Sequence, residues 1–157
     1  MNPRDAAKGW LRQARYDLVH AHWSMRAGHA DWACLAAHHA AERALKGLAL
    51  DAGHRPLATN NPALLAMDLM ELGVLGEADV ARLGDLEALQ SIAARLRSPD
   101  RAVLQDGPDD SVALARDAVA LTEQLLGLVA EAAEGRAGGL DLAADDHRGP
   151  PRPSLAG

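Results

Sequence analysis

The chain has 157 residues, of which 48% are hydrophobic, 24% charged and only 3% aromatic, with no phenylalanine, and its formal net charge is −6. A core so poor in aromatic rings must be built from alanine, leucine and valine, which favours helices packed on helices over a β-sandwich. No run approaches 18 apolar residues, which excludes a hydrophobic membrane span, and the single cysteine, Cys34, excludes an internal disulfide and any multi-cysteine metal site. We therefore expect a cytoplasmic protein.

Charge is distributed unevenly along the chain. The first 55 residues carry eight Lys or Arg and five acidic residues, a net charge of +3, so the remainder carries −9. The negative net charge of the whole chain argues against indiscriminate binding of nucleic acid, whereas the mildly basic first 55 residues are compatible with a local anion site.

Apolar spacing and helix-breaking residues predict five helices. Asp31 is the predicted N-cap of the second helix, and Asn61-Pro62 is a typical start for the third. The predicted helices, four long and one short, cover approximately residues 5–27, 31–52, 62–72, 77–96 and 110–134.

Short connections favour antiparallel neighbours, so these helices predict an all-α, up-and-down antiparallel bundle. We assign residues 1–134 to this bundle. Residues 135–157 are rich in Gly, Pro, Arg and Asp and cannot bury enough surface to order themselves, so they are predicted to form a disordered tail.

The second predicted helix is the most informative segment. Residues 32–48 read WACLAAHHAAERALKGL. Small side chains let helix backbones approach closely, so this helix is expected to be packed on most sides. The polar side chains fall within one arc of about 140° at roughly 100° per residue; they are His38, His39, Glu42, Arg43 and Lys46.

This string resembles the signature of the HEPN domains, whose second helix reads roughly W-A-C-F-x-A-x-Q-A-A-E-K-A-L-K. The resemblance extends over about residues 8–130 and includes the first-helix segment 10–14, WLRQA. The chain departs from many relatives at Thr59-Asn60-Asn61-Pro62, where they carry Thr-His-Ser/Asp-Leu. In the turn after the fourth predicted helix Arg97, Pro99 and Asp100 match, but every tyrosine is absent.

The resemblance implies one of three roles. Some HEPN domains are metal-independent ribonucleases with an Arg-x4-6-His motif, some are partners of minimal nucleotidyltransferases in toxin–antitoxin-like modules, and others are scaffolds or nucleotide-binding modules. No histidine occurs between His54 and His147, so the ribonuclease motif is absent near the expected turn. The sequence therefore favours a non-catalytic binding or interaction module without a cofactor. This module would bind a nucleotidyltransferase partner protein, a nucleotide or RNA.

Candidate ligand-binding residues come from the basic and polar positions of the first and second predicted helices and of the turn after the fourth. As a nucleotide or anion site we single out Arg12, Arg15, His38, Glu42, Lys46, Arg97 and Asp100. Each has a structural alternative: the arginines of the first helix can form a solvated flank, Glu42 can pair with Lys46 along a solvated stripe, and Arg97 can stabilise its turn through Asp100.

A second stripe on the first helix consists of Tyr16, Val19 and Trp23, about 160° away from its apolar face by the helical period. Either the helix is covered on both sides within the bundle, or this stripe is an interface, because aromatic residues are enriched at contact centres. A homodimer is the first candidate and a partner protein the second.

Two enzymatic alternatives remain. One is a metal-independent ribonuclease with a relocated site at Arg95, Arg97 and His38. The other is a metal-dependent helical-bundle enzyme that uses His38 and Glu42. Cys34 is expected to be a small buried apolar residue and not a nucleophile.

Overall fold

The structure is a computed structural model that describes residues 2–97 and 108–136, with the backbone alone for residues 108–110. Over these ranges the chain forms six α-helices and no strand, which confirms the predicted all-α class. The helices are α1 (Pro3–Arg26), α2 (Ala30–Asp51), α3 (Pro62–Glu71), α4 (Glu77–Arg82), α5 (Leu86–Arg97) and α6 (Pro108–Glu134).

Two helix starts follow from asparagine caps. The Asn2 side chain accepts a hydrogen bond from the backbone N–H of Arg4 at 3.1 Å, and Asn61 accepts one from Ala63 at 2.9 Å. In both cases proline follows as the first helical residue. The α2 helix starts differently: its N-cap is His29, and Asp31 lies in the first turn, so the prediction of Asp31 as the cap was wrong.

The fourth predicted helix, 77–96, is in fact two helices. Gly84 has φ +75°, the left-handed conformation that ends α4, and the Asp85 side chain accepts from the backbone N–H of Ala88 at 2.9 Å to begin α5. The apolar period nevertheless continues across the break, so that Leu83 and Leu86 are both buried.

The α2 helix lies at the centre of the bundle, in contact with α1, α3, α5 and α6. Fifteen of its 22 residues are buried, which confirms the prediction that it is packed on most sides. It lies close to α1 at Gly47, where an added Cβ would lie 2.8 Å from Cγ of Leu11.

The α6 helix closes the other side of the bundle. The hydroxyl of Thr122 donates to the carbonyl oxygens of Ala118 at 2.8 Å and Ala37 at 3.3 Å, which ties α6 to α2. Farther along, Arg82 of α4 pairs with Glu131 at 3.1 Å.

The α6 helix ends at Glu134, where the predicted bundle also ends. Beyond residue 136, the tail that was predicted to be disordered lies outside the described part of the chain. Asp100, the predicted turn partner of Arg97, also lies outside it. No helix in the described ranges is long and apolar enough to cross a membrane.

Candidate functional site

His38 is fully buried on α2 and faces α5. Its Nε2 lies 2.8 Å from Oε1 of Gln90, and its Nδ1 lies 3.0 Å from Nη2 of Arg97. The guanidinium can only donate and the amide oxygen can only accept, so the ring must be neutral with its proton on Nε2. Both ring nitrogens are therefore engaged in joining α2 to α5.

The surroundings of His38 favour the same neutral state. Burial lowers the pKa of His38 because it penalises the charged imidazolium, and the Arg97 cation lowers it as well. The acceptor on Gln90 and the carboxylate of Glu42 act in the opposite direction without reversing the shift.

We expect this histidine to make stability depend on pH. Because the pKa of His38 is lower in the folded chain than its unfolded value near 6.5, the unfolded state binds more protons as the pH falls. The stabilisation by the neutral ring is complete above about pH 6.5 and decreases as the pH falls from there toward the folded pKa, by at most about 1.4 kcal/mol per pH unit for one proton. Urea unfolding at a series of pH values between about 7 and 5 measures this loss.

The matched variants for this measurement are His38→Gln and His29→Gln. The first removes the buried imidazole and should flatten the pH dependence, whereas the second alters an exposed ring and should leave it unchanged. An equal slope in wild type and His38→Gln would show that other groups cause the dependence.

Lys46 forms a second polar cluster, farther along α2. Its ammonium Nζ donates to Oε1 of Glu42 at 2.8 Å and to Oδ1 of Asn60 at 2.5 Å, and it stands 5.6 Å from the centre of the Trp10 ring. The predicted Glu42–Lys46 pair is therefore confirmed, but its predicted placement on a solvated stripe was wrong, because Lys46 is only 8% exposed. The ring of Trp10 and the loop before α3 cover it.

The predicted anion-site residues thus fall into separate groups. His38 meets Arg97, and Glu42 meets Lys46, whereas Arg12 is exposed on the outer side of α1. Arg15, one turn farther along α1, is half-buried. Binding of a nucleotide by these residues stays a prediction.

Sequence reasoning missed the partners that hold these groups. Gln90 and Asn60 carry no local signal, because each acquires its role only when a distant helix packs against it. Asp17 of α1 was missed for the same reason; it forms an ion pair with Arg43 of α2 and accepts from Gln13 at 3.3 Å.

An open groove of about 550 Å³ lies between α1 and α2 beside this Asp17–Arg43 pair. Its floor is shaped by Gly9, where an added Cβ would meet no atom within 4 Å. The residues that line the groove are Asp5, Ala6, Gly9, Trp10, Gln13 and Arg43, and they differ from the predicted anion-site residues.

The predicted stripe on α1 is exposed. Tyr16, Val19 and Trp23 have 61%, 46% and 62% of their surface accessible, on the side of α1 opposite its buried Ala14. The described helices therefore do not cover it. We call these three residues the aromatic face.

Metal binding and thiol chemistry find little support in the described ranges. There, no three His, Cys, Asp or Glu side chains are grouped so as to hold a metal ion. His38 and Glu42 would each have to give up their present partners to become ligands. Cys34 is buried as predicted, and burial, followed by the nearby Asp31, raises its pKa to about 11, so the thiol stays protonated near neutral pH.

Comparison with known proteins agrees with this architecture. No curated protein matches the chain. A solved structure, the crystal structure of TT1696 from Thermus thermophilus, superimposes with a TM-score of 0.66 at 34% sequence identity, covering 84% of this chain and 99% of the other. The family model described as HEPN domain matches residues 7–132. The chain therefore belongs to the HEPN domain family.

Proposed function

We propose that this HEPN domain is a non-catalytic binding and interaction module that self-associates as a homodimer through the aromatic face of α1. The observation that carries the proposal is the exposure of Tyr16, Val19 and Trp23 opposite the buried side of their helix. Burial of large aromatic side chains is energetically favourable, so an exposed stripe of them indicates a surface that a partner covers.

The surroundings of the aromatic face resemble the anatomy of a protein–protein interface. The three residues follow one another at spacings of three and four along α1, so they form a continuous stripe about 10 Å long at 1.5 Å per residue. Basic side chains border the stripe: Lys8, Arg12, Arg15 and Arg26. An apolar centre with a polar rim is the usual arrangement at an interface.

Trp23→Glu is expected to dissociate the dimer, because it places a carboxylate in the apolar centre of the contact. We expect the dissociation constant to rise by about 100-fold or more, the size of effect seen at interface hot spots. Light scattering over a range of concentrations measures the mass. Trp32→Glu is the matched control, since Trp32 is 60% exposed but lies on α2, and it should leave the mass unchanged.

The same measurement can refute self-association. If wild type and Trp23→Glu have the same mass, whether one copy or two, the aromatic face is not the homodimer interface, and a different partner protein becomes the candidate.

The absence of an acid–base centre is proposed from the state of His38. A general base needs a free lone pair within reach of the substrate, but the ring is buried and both nitrogens are engaged.

We propose that this module acts in the cytoplasm and binds a minimal nucleotidyltransferase or a nucleotide, as the family resemblance implies. A minimal nucleotidyltransferase co-expressed with this chain and retained with it through purification would support the first.

A metal-independent ribonuclease is the second candidate, and one observation favours it: Arg97 and His38 are 3.0 Å apart although 59 positions separate them. Arg95 and Arg97 are both exposed at the end of α5. We expect no cleavage of total RNA by the purified chain in EDTA. Cleavage that is lost in Arg97→Ala but retained in Arg55→Ala, at an exposed loop position, would establish the ribonuclease instead.

A further inference from the structure

The open groove between α1 and α2 has the form of a site for a large side chain. Its volume is about 550 Å³, and Trp10, Gln13 and Asp5 are among the residues that line it. Gly9 leaves the floor open, because an added Cβ there would meet no atom within 4 Å. A depression with small residues below and an aromatic residue beside them is typical of the pockets that receive anchor residues at protein interfaces.

The groove and the aromatic face lie on the same side of α1. Gly9 and Trp23 are 14 positions apart, which is close to four turns, so they differ by only about 40° around the helix and lie about 21 Å apart along it. Tyr16 lies midway between them. This side of α1 therefore presents an open groove, a central tyrosine and an exposed tryptophan in a row.

An antiparallel contact of two α1 helices, related by a two-fold axis at Tyr16, brings these features together. The position seven residues before Tyr16 on one copy then faces the position seven residues after it on the other, so Gly9 faces Trp23 of the second copy. Pockets of about 300–1,000 Å³ hold small ligands, so this groove has room for an indole. The symmetry repeats the same insertion at the other end of the contact.

Charge complementarity favours the same occupant. Asp5 lines the groove, and Arg26 lies one turn beyond Trp23; both are exposed. Within residues 2–97 and 108–136 neither belongs to an ion pair, whereas the charge of Arg43 in the groove is compensated by Asp17. In the antiparallel register Arg26 of the second copy lies within one position of Asp5, where a guanidinium and a carboxylate can pair.

We propose that the groove receives the Trp23 side chain of a second copy, whose Arg26 pairs with Asp5. This rests on the proposed self-association and specifies how the two copies meet: their α1 helices are antiparallel and cross at Tyr16. One symmetry operation buries two tryptophans and forms two ion pairs. The single chain, by contrast, leaves Trp23 62% exposed.

The first test reverses the charges in the full chain. Asp5→Arg and Arg26→Asp each place like charges against one another at both ends of the contact, so the dissociation constant of each single variant should rise about tenfold. Asp5→Arg/Arg26→Asp restores opposite charges in exchanged positions and should return to within about threefold of wild type. Glu77→Arg/Arg26→Asp is the matched control: it has the same net charge, but Glu77 is an exposed residue of α4, so it should not be rescued. Light scattering over a range of concentrations measures all four variants.

The second test fills the groove from within the chain. Gly9→Leu adds a side chain where an added Cβ meets no atom, and leucine is a better helix former than glycine, so the fold is retained. Trp23 of the second copy then has no room, and the dissociation constant should rise about 100-fold, as for Trp23→Glu. Gly127→Leu, at an equally open position of α6, is the control and should leave it unchanged. Circular dichroism verifies that every variant is folded.

Two results would overturn the proposal: a double charge variant that dimerises no better than the single variants, or a Gly9→Leu chain that dimerises like wild type. If wild type still dimerises and Trp23→Glu still dissociates it, either result refutes only the insertion into the groove and leaves self-association through the aromatic face intact. A wild type with the mass of one copy at every concentration would refute the proposed self-association and the insertion together.

Discussion

Gly47→Val is expected to lower the free energy of unfolding by about 3 kcal/mol, since an overpacked core contact of this kind costs typically 1–3 kcal/mol and a β-branched side chain adds further atoms. The cause is the close approach of α2 to α1. A Cβ at position 47 would lie 2.8 Å from Cγ and 2.9 Å from Cδ2 of Leu11, and 3.2 Å from Cβ of Trp10. Leu11 is itself buried, so it cannot simply turn out into solvent. Relief requires the two helices to separate, which opens the most extensive contact in the bundle.

The matched control is Gly127→Val, in the exposed part of α6, where an added Cβ meets no atom within 4 Å. There valine replaces a glycine that lowers helix stability, so we expect a small gain of a few tenths of a kcal/mol. Urea unfolding of the two variants compares the effects. Equal stability of Gly47→Val and wild type would mean that α1 and α2 do not pack as closely as described.

The small-residue pattern of α2 is visible in the sequence, which is why its central position could be predicted. Alanines recur on most sides of this helix, and a helix that is apolar all round is typically buried against several neighbours. By contrast, the polar arc of α2 could not be interpreted locally. Lys46 looks solvated on a helical wheel, but its burial depends on Trp10 of α1 and Asn60 of a later loop.

The sequence contains a local signal for the break between α4 and α5, but the continuous apolar period across the break obscured it. Gly84 followed by Asp85 is a typical helix end followed by a helix start, yet the leucines on either side keep a helical spacing across it. Both helices face the same core, and for this reason the period continues through the break.

The His38–Arg97 contact shows the limit of motif reasoning for the candidate site. No histidine follows Arg95 or Arg97 at the Arg-x4-6-His spacing, because the histidine that contacts Arg97 comes from α2. Only the packing of those helices brings the two side chains together. The exposed aromatic face was predictable because all three of its residues lie on one helix.

Glu42→Leu is expected to destabilise the chain by about 3 kcal/mol, because it removes one partner of a largely buried ion pair and leaves the other charge uncompensated. The side chains of Glu42 and Lys46 are 14% and 9% exposed, and Nζ lies 2.8 Å from Oε1. The Asn60 amide and the Trp10 ring would remain beside the ammonium, but neither carries a compensating negative charge. Urea unfolding at about pH 7 measures the loss.

The double variant Glu42→Leu/Lys46→Met separates this charge effect from lost packing. With both charges replaced by apolar side chains of similar size, no uncompensated ion remains, so we expect stability within about 1 kcal/mol of wild type. The exposed pair Arg82–Glu131 is the control, and the same cycle there should give a coupling close to zero. Additive losses at Glu42 and Lys46 would show that water still screens their charges and that the polar arc of α2 is solvated after all. A strong coupling would instead identify this pair as part of the packed interior, held in place by α1 and the loop before α3, and therefore not available to bind an anion.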